Sequence, residues 1–177
     1  MFYIPRKLPR NALITSLLMF IAAAALFLVS EFFNPRLAYQ LLALAAVSFA
    51  IFLVSRYALT DYKYVIKDID GPDQQISFTI VKINGKREAI MANFNLDDAY
   101  ALEKLTKVSD FEAKHGKVNK LYNYKSNFMP SEAYMLAIKF NGINVLFEVE
   151  LSDEFANEIR LRMPNSEEIA NIDNKSS

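Results

Sequence analysis

The sequence predicts an N-terminal transmembrane α-helical hairpin followed by an α+β domain. Three observations carry this reading. Two stretches, Asn11 to Ser30 and Leu37 to Ser55, contain no charged residue. Directly after the second, RYALTDYKYVIKDIDGPDQ turns to alternation of apolar and charged residues. Further on, two Asn-Gly pairs, Asn84-Gly85 and Asn141-Gly142, each lie between apolar runs.

The anchor is expected over residues 1–58. The chain is 53% hydrophobic, more than a globular domain needs, and the excess is at the front. At ~1.5 Å per residue, each charge-free stretch matches a hydrocarbon core about 30 Å thick. One such stretch is compatible with a buried helix. Two in tandem without a polar face would need a larger soluble protein to cover them, so spans are expected over 11–33 and 37–55. The small residues Ala22 to Ala25 lie inside the first apolar run, which argues against a cleaved signal peptide. EFFNPR is long enough only for a turn, with Asn34-Pro35 as the breaker. Arg6, Lys7 and Arg10 precede the first span and Arg56, Lys63 and Lys67 follow the second, whereas the turn holds Arg36 balanced by Glu31. The positive-inside rule then puts both termini in the cytoplasm of a two-pass cell-membrane protein. Tyr3, Tyr39 and Tyr57 fall at the expected interfaces. Ala46 and Ala50 form a small-xxx-small step for close helix packing, and Gln40 sits near a helix end with no charged companion, which favours an anchor over a transport path.

The domain is expected over 59–164. From Tyr57, the residues Thr60, Tyr62, Tyr64 and Ile66 alternate with Asp61, Lys63 and Lys67, the period of a strand with one buried face. GPDQ closes a turn, ISFTIVKI and REAIMANF flank Asn84-Gly85 as a type I′ hairpin, and YMLAIKF and INVLFEVEL flank Asn141-Gly142 in the same way. Between the hairpins a helix is expected from Asn95, its cap, through Lys107, with Asp97 and Asp98 in its first turn. KVNKLYNYK adds a strand, making about six antiparallel strands in all. The last helix has Ser152 as cap, Asp153 and Glu154 in its first turn, a stripe of Phe155, Ile159 and Met163, and Pro164 as its stop. Residues 165–177 form a polar tail.

This order of features resembles that of bacterial pleckstrin-homology-like (PH-like) two-span membrane proteins. The matching residues are Tyr57, Leu59, Thr60 and Asp61, read as Tyr-x-Leu-Thr-Asp, followed by hairpins and a closing amphipathic helix. The resemblance implies an antiparallel PH-like sheet or barrel, here with an inserted helix and a C-terminal helix. It also implies a binding or assembly module, and it brings no catalytic residues. Phosphoinositide binding is disfavoured, because Asp68, Asp70 and Asp73 around the first turn repel phosphate.

Nothing in the residues points to an enzyme, cofactor or metal site. There is no cysteine, the lone histidine His115 lacks a second imidazole, and no phosphate loop or nucleophile elbow appears. The pairs Asp97-Asp98 and Glu167-Glu168 suit helix starts better than acid/base dyads. Residues 59–177 carry 15 Lys and Arg against 19 Asp and Glu, which argues against nucleic acid. One segment, 114–125, holds Lys114, Lys117, Lys120 and Lys125 and no acid. It suits either an anionic-lipid surface or the wet face of an edge strand. Three functions follow: a protein-binding or self-assembling module integral to the bilayer, an accessory subunit acting through its hairpin, and an anionic-lipid sensor.

Overall fold

The computed structural model describes residues 1–68 and 75–164. The GPDQ turn, Asp70, Asp73, Glu167, Glu168 and the tail lie outside the described residues. The chain divides into two compact units. One comprises Lys7–Thr60 with Asn127–Met129, the other Met1–Arg6, Asp61–Ser126 and the residues from Pro130 onward.

The helical unit is an antiparallel pair, α1 (Pro9–Val29) and α2 (Arg36–Leu53). Pro9 at the first turn of α1 suits a position whose N–H has no partner. Both helices are long and apolar enough to cross a bilayer, and α2 runs on through a π-helical turn, Val54–Ala58. The second span was expected to end at Ser55 and the first strand to begin from Tyr57, but the helix continues through Ala58, and the Thr60 hydroxyl donates to the Ser55 carbonyl at 3.1 Å. The seam is built from small residues. Ala12, Ser16 and Ala23 are buried on α1, Ala43 and Ala50 on α2, and the Ser16 hydroxyl donates to the Ala50 carbonyl at 3.1 Å. Close approach of the backbones makes that bond possible. Ala50 is therefore in the seam, and Ala46 lies partly buried beside it. Arg36 pairs with Glu31 in the turn.

The α+β unit contains two four-stranded sheets. The first has the order β1 (Phe2–Tyr3), β2 (Asp61–Asp68), β3 (Ile76–Asn84), β4 (Arg87–Asn95). The second is built from β5 (Ala99–Lys104), β6 (Lys120–Asn123), β7 (Tyr134–Phe140) and β8 (Ile143–Val149), in the order β5-β7-β8-β6. Among the described residues the sheets do not close into a barrel. Their facing sides bury one core, with Tyr62, Tyr64, Ile66, Phe78, Ile80 and Phe94 from the first sheet against Leu136, Ile138, Val145, Phe147 and Val149 from the second. The end of this core is covered by α4 (Asp153–Leu161), which buries the expected Phe155, Ile159 and Met163; Ser152 caps it through a 3.3 Å bond from the Phe155 N–H.

Several expectations are corrected. The helix expected over 95–107 is one 3-10 turn, Leu96–Asp98, followed by β5. Asn95 does cap the turn, accepting from the Asp97 N–H at 3.1 Å, but pairing with β7 overrides helix propensity from Ala99 onward. The real helix, α3 (Val108–His115), comes one element later and covers the back of the second sheet, where Phe111 packs with Met135, Ala137 and Leu146. This explains why YMLAIKF is a continuous apolar run: its sheet is buried on both faces. The strands are not all antiparallel, since β6 pairs with β8 in parallel. The first hairpin turns at Gly85-Lys86, one residue later than expected, because Asn84 pairs with Arg87. Gly85 alone has positive φ there (60°), which fits type II′ and not type I′. At the second hairpin both Asn141 (φ 50°) and Gly142 (φ 75°) are positive, as type I′ requires. Finally, Tyr3 belongs to β1. Its ring packs on Phe155 at 5.4 Å and on Tyr64 at 6.4 Å.

Candidate functional site

The most built-up region of the α+β unit is the end of the first sheet at which β2 begins. The register of Tyr3 with Tyr64 and Phe2 with Val65 makes β1 antiparallel to β2, so the chain leaves β1 toward the Asp61 end. Ile83 pairs with Asp61, so β3 returns to that same end and its turn extends past it. Three chain segments thus converge there: the exit of residues 4–6, the start of β2, and the β3–β4 turn.

A buried tyrosine joins this end to the second sheet. The Tyr64 hydroxyl, fully enclosed, donates to the Tyr124 carbonyl at 2.8 Å and accepts from the Glu150 N–H at 3.1 Å. The Tyr62 N–H donates to the Ser126 hydroxyl at 3.0 Å. Rings continue the join through Tyr62–Tyr124, Phe94–Phe147 and Tyr124–Phe147, with centroids 5.5, 5.2 and 5.9 Å apart. Burial, helped by the negative charges of Glu150, Glu132 and Glu154, pushes the Tyr3 hydroxyl above its ordinary pKa, so it stays neutral.

The four lysines of segment 114–125 are spread over several elements. Lys114 lies in the last turn of α3 and pairs with Glu103 at 3.3 Å. Lys117 lies in the following loop, where its carbonyl accepts from Asn144 Nδ2 at 2.9 Å. Lys120 opens β6 level with Val145, and Lys125 pairs with the half-buried Glu148. Tyr64 meets Tyr124 and Tyr62 meets Ser126, so β2 starts beside the C-terminal end of β6, whereas Lys117 and Lys120 lie at its other end, toward the Asn141-Gly142 turn.

The lone histidine is tied down. His115 Nε2 lies 3.0 Å from Glu103 Oε1, with the ring 4.6 Å from Phe111. Burial alone would raise the Glu103 carboxyl, but hydrogen bonds from His115 and Lys114, with their charges, outweigh it and hold it below the usual carboxylate range. The contact pins α3 to β5. Another polar cluster has Tyr134 donating to Asp153, with Lys104 at 3.2 Å from the same carboxylate and the Arg160 guanidinium 5.8 Å from the Tyr134 ring centre. Burial, then the hydrogen bond to Asp153, pushes the Tyr134 hydroxyl well above its ordinary value. Among the described residues no group of three His, Cys, Asp or Glu side chains is arranged to hold a metal.

The sequence reading missed Phe2–Tyr3 as a strand and Tyr64 as a junction. The signal for the first was present in Phe2-Tyr3-Ile4 ahead of Pro5, a short β-prone run whose length alone does not separate it from a basic leader. No known protein family matches the chain, and neither a curated protein nor a solved structure matches it.

Proposed function

We propose that the chain is a membrane-anchored interaction module without catalytic activity, whose α+β domain binds a protein partner or a second copy of itself at the cytoplasmic face of the cell membrane. The pairing of Phe2–Tyr3 with β2 carries this reading. A strand ahead of the first long helix belongs to the same sheet as the chain that follows the second. Both flanks of the hairpin must then lie on one side of a bilayer, which an even number of crossings satisfies. Exposed Leu17, Leu18, Leu28, Leu37 and Leu44 give the helices the surface that lipid would cover. The basic flanks, Arg6, Lys7 and Arg10 before and Arg56 after, favour the cytoplasmic side. The PH-like resemblance supports a binding role, and β6, the end strand of its sheet among the described residues, exposes Leu121 and Tyr122 to a partner.

The accessory-subunit alternative draws on Ala46 and Ala50. Ala50 is fully enclosed in the hairpin's own seam, under Ser16, so the small-residue face is already used and the domain reading is favoured. Detergent pull-down of the full chain with and without Leu121→Lys tests the proposal. Loss of the captured partner or of self-association supports it. A partner retained equally by Leu121→Lys and by the helical hairpin alone would move the function to the hairpin. A reporter fused after Ser177 that is active only in the periplasm would overturn the topology.

A further inference from the structure

We propose that the β3–β4 turn, carrying Lys82, Lys86 and Arg87, is a contact site for anionic lipid headgroups. The inference rests on the membrane-anchored reading above. It assigns the lipid contact to residues other than the lysine segment 114–125.

The register puts this turn at one particular end of its sheet. Asp61 pairs with Ile83 and Asn84 pairs with Arg87, so the turn projects beyond the first residue of β2. That residue follows the last helical residue, Ala58, by three positions, a reach of at most about 11 Å at ~3.6 Å per residue. The turn extends past that residue, along the axis of its own sheet, by about two residues, some 7 Å at ~3.4 Å each. Chain length alone therefore keeps Lys86 and Arg87 within about 20 Å of the last helical residue whatever the tilt of the sheet, and a tilt that points the turn at the bilayer brings them within one Debye length, ~8 Å at physiological salt, of the headgroups.

The charges suit that position. Lys86 and Arg87 are exposed, and among the described residues no carboxylate pairs with them or with Lys82. The nearby Glu88 is partnered by Lys63 at 3.8 Å. Beside the cations, Ile90 and Met91 are exposed on β4, and a β-bulge between Ile80 and Val81 disturbs the ladder there. An apolar pair flanking basic residues is the composition expected of a surface resting at a headgroup boundary. Lys117 and Lys120, by contrast, lie toward the Asn141-Gly142 turn, away from the β2 start.

The test uses the full chain in nanodiscs of phosphatidylcholine alone or mixed equally with phosphatidylglycerol. The chain has no cysteine, so one introduced thiol carries a fluorophore. Separate labels are placed at Ala89→Cys beside the turn, Ala113→Cys on α3, and Leu44→Cys in the second long helix. Headgroup-located quenchers are expected to quench the Ala89 label more strongly in the phosphatidylglycerol discs, and added salt to remove the difference. K82Q/K86Q/R87Q should abolish that difference, each removed cation lowering the docked-to-undocked ratio roughly fivefold. The Ala113 label should not respond. Equal quenching at Ala89 in both discs, or indifference to the triple substitution, overturns the proposal. Stronger quenching at Ala113 than at Ala89 overturns it in favour of the lysine segment. The Leu44 label separates this failure from that of the anchor: quenched by acyl-chain quenchers, it leaves the anchor standing; unquenched, it overturns the anchored reading and this proposal together.

Discussion

Tyr64 is the residue on which the two sheets depend most. One hydroxyl satisfies the Tyr124 carbonyl and the Glu150 N–H, both in the interior. Tyr64→Phe keeps the ring and removes both bonds, and a buried polar group left without its partner costs about 1–3 kcal/mol. We expect a loss of about 3 kcal/mol, read by urea unfolding of the detergent-solubilised chain through its near-ultraviolet aromatic signal; a change below about 1 kcal/mol would mean the groups find other partners. Glu103 is a second case, and its effect depends on pH. Its carboxyl is held below the usual range, so it stabilises the fold fully above the ordinary carboxylate pKa. That contribution is lost as pH falls through the lowered value. Glu103→Gln should thus cost about 1 kcal/mol at neutral pH and nothing at the acid end, and a difference that persists in acid would show that packing, not charge, is responsible.

At the level of elements, the two hairpin turns differ in a way that substitution can expose. Both Gly85 and Gly142 have open space where a Cβ would go, so replacing either tests backbone conformation alone. With φ at 60° and 75°, alanine is disfavoured by about 1 kcal/mol at each. Gly142→Ala should slow refolding of β7 and β8, which are central to the core, more than Gly85→Ala slows the rest; stopped-flow refolding of the two variants compares them directly. The cover α3 is held chiefly by one ring. Phe111→Ala removes a fully buried aromatic at a cost of about 3–5 kcal/mol, and amide exchange in β7 and β8 should rise as their back face opens. Unchanged exchange there would mean the helix is held by its Glu103 contacts instead.

For the whole molecule, the α+β unit is discontinuous in sequence. Residues 59–164 were expected to suffice, but Met1–Arg6 belongs to this unit and its Tyr3 ring covers Tyr64 and Phe155. Because β1 and β2 are antiparallel neighbours, replacing Lys7–Thr60 by a short Gly/Ser loop would make them an ordinary hairpin. That soluble chain should melt cooperatively, and a fragment starting at Asp61 should be less stable by about 1–3 kcal/mol through loss of the aromatic contacts and their burial. Equal melting of the two in circular dichroism would reduce β1 to an ornament.

The sequence by itself determined the features set by local pattern. Two uncharged runs can be nothing shorter than long apolar helices, an alternating run has one wet face, and Ser152 with Pro164 bounds α4 because capping and proline chemistry act within one turn. Asn141-Gly142 was legible for the same reason, since positive φ is a property of the residues themselves. Tertiary structure decided what depends on distant partners. Ala99 to Lys104 could follow its Asn95 cap into a helix until β7 supplied a ladder, and Val108–His115 became a helix over a sheet whose second buried face only pairing reveals. The parallel seat of β6 and the division into two open sheets are likewise pairing choices, to which short apolar runs are indifferent. The candidate contact end was hidden most completely: Lys82, Lys86 and Arg87 are three among many surface cations until the register of β2 with β3 brings their turn to the end of the sheet at which β2 begins. Charge is visible in a sequence, but the face that carries it is set by pairing between strands far apart in the chain.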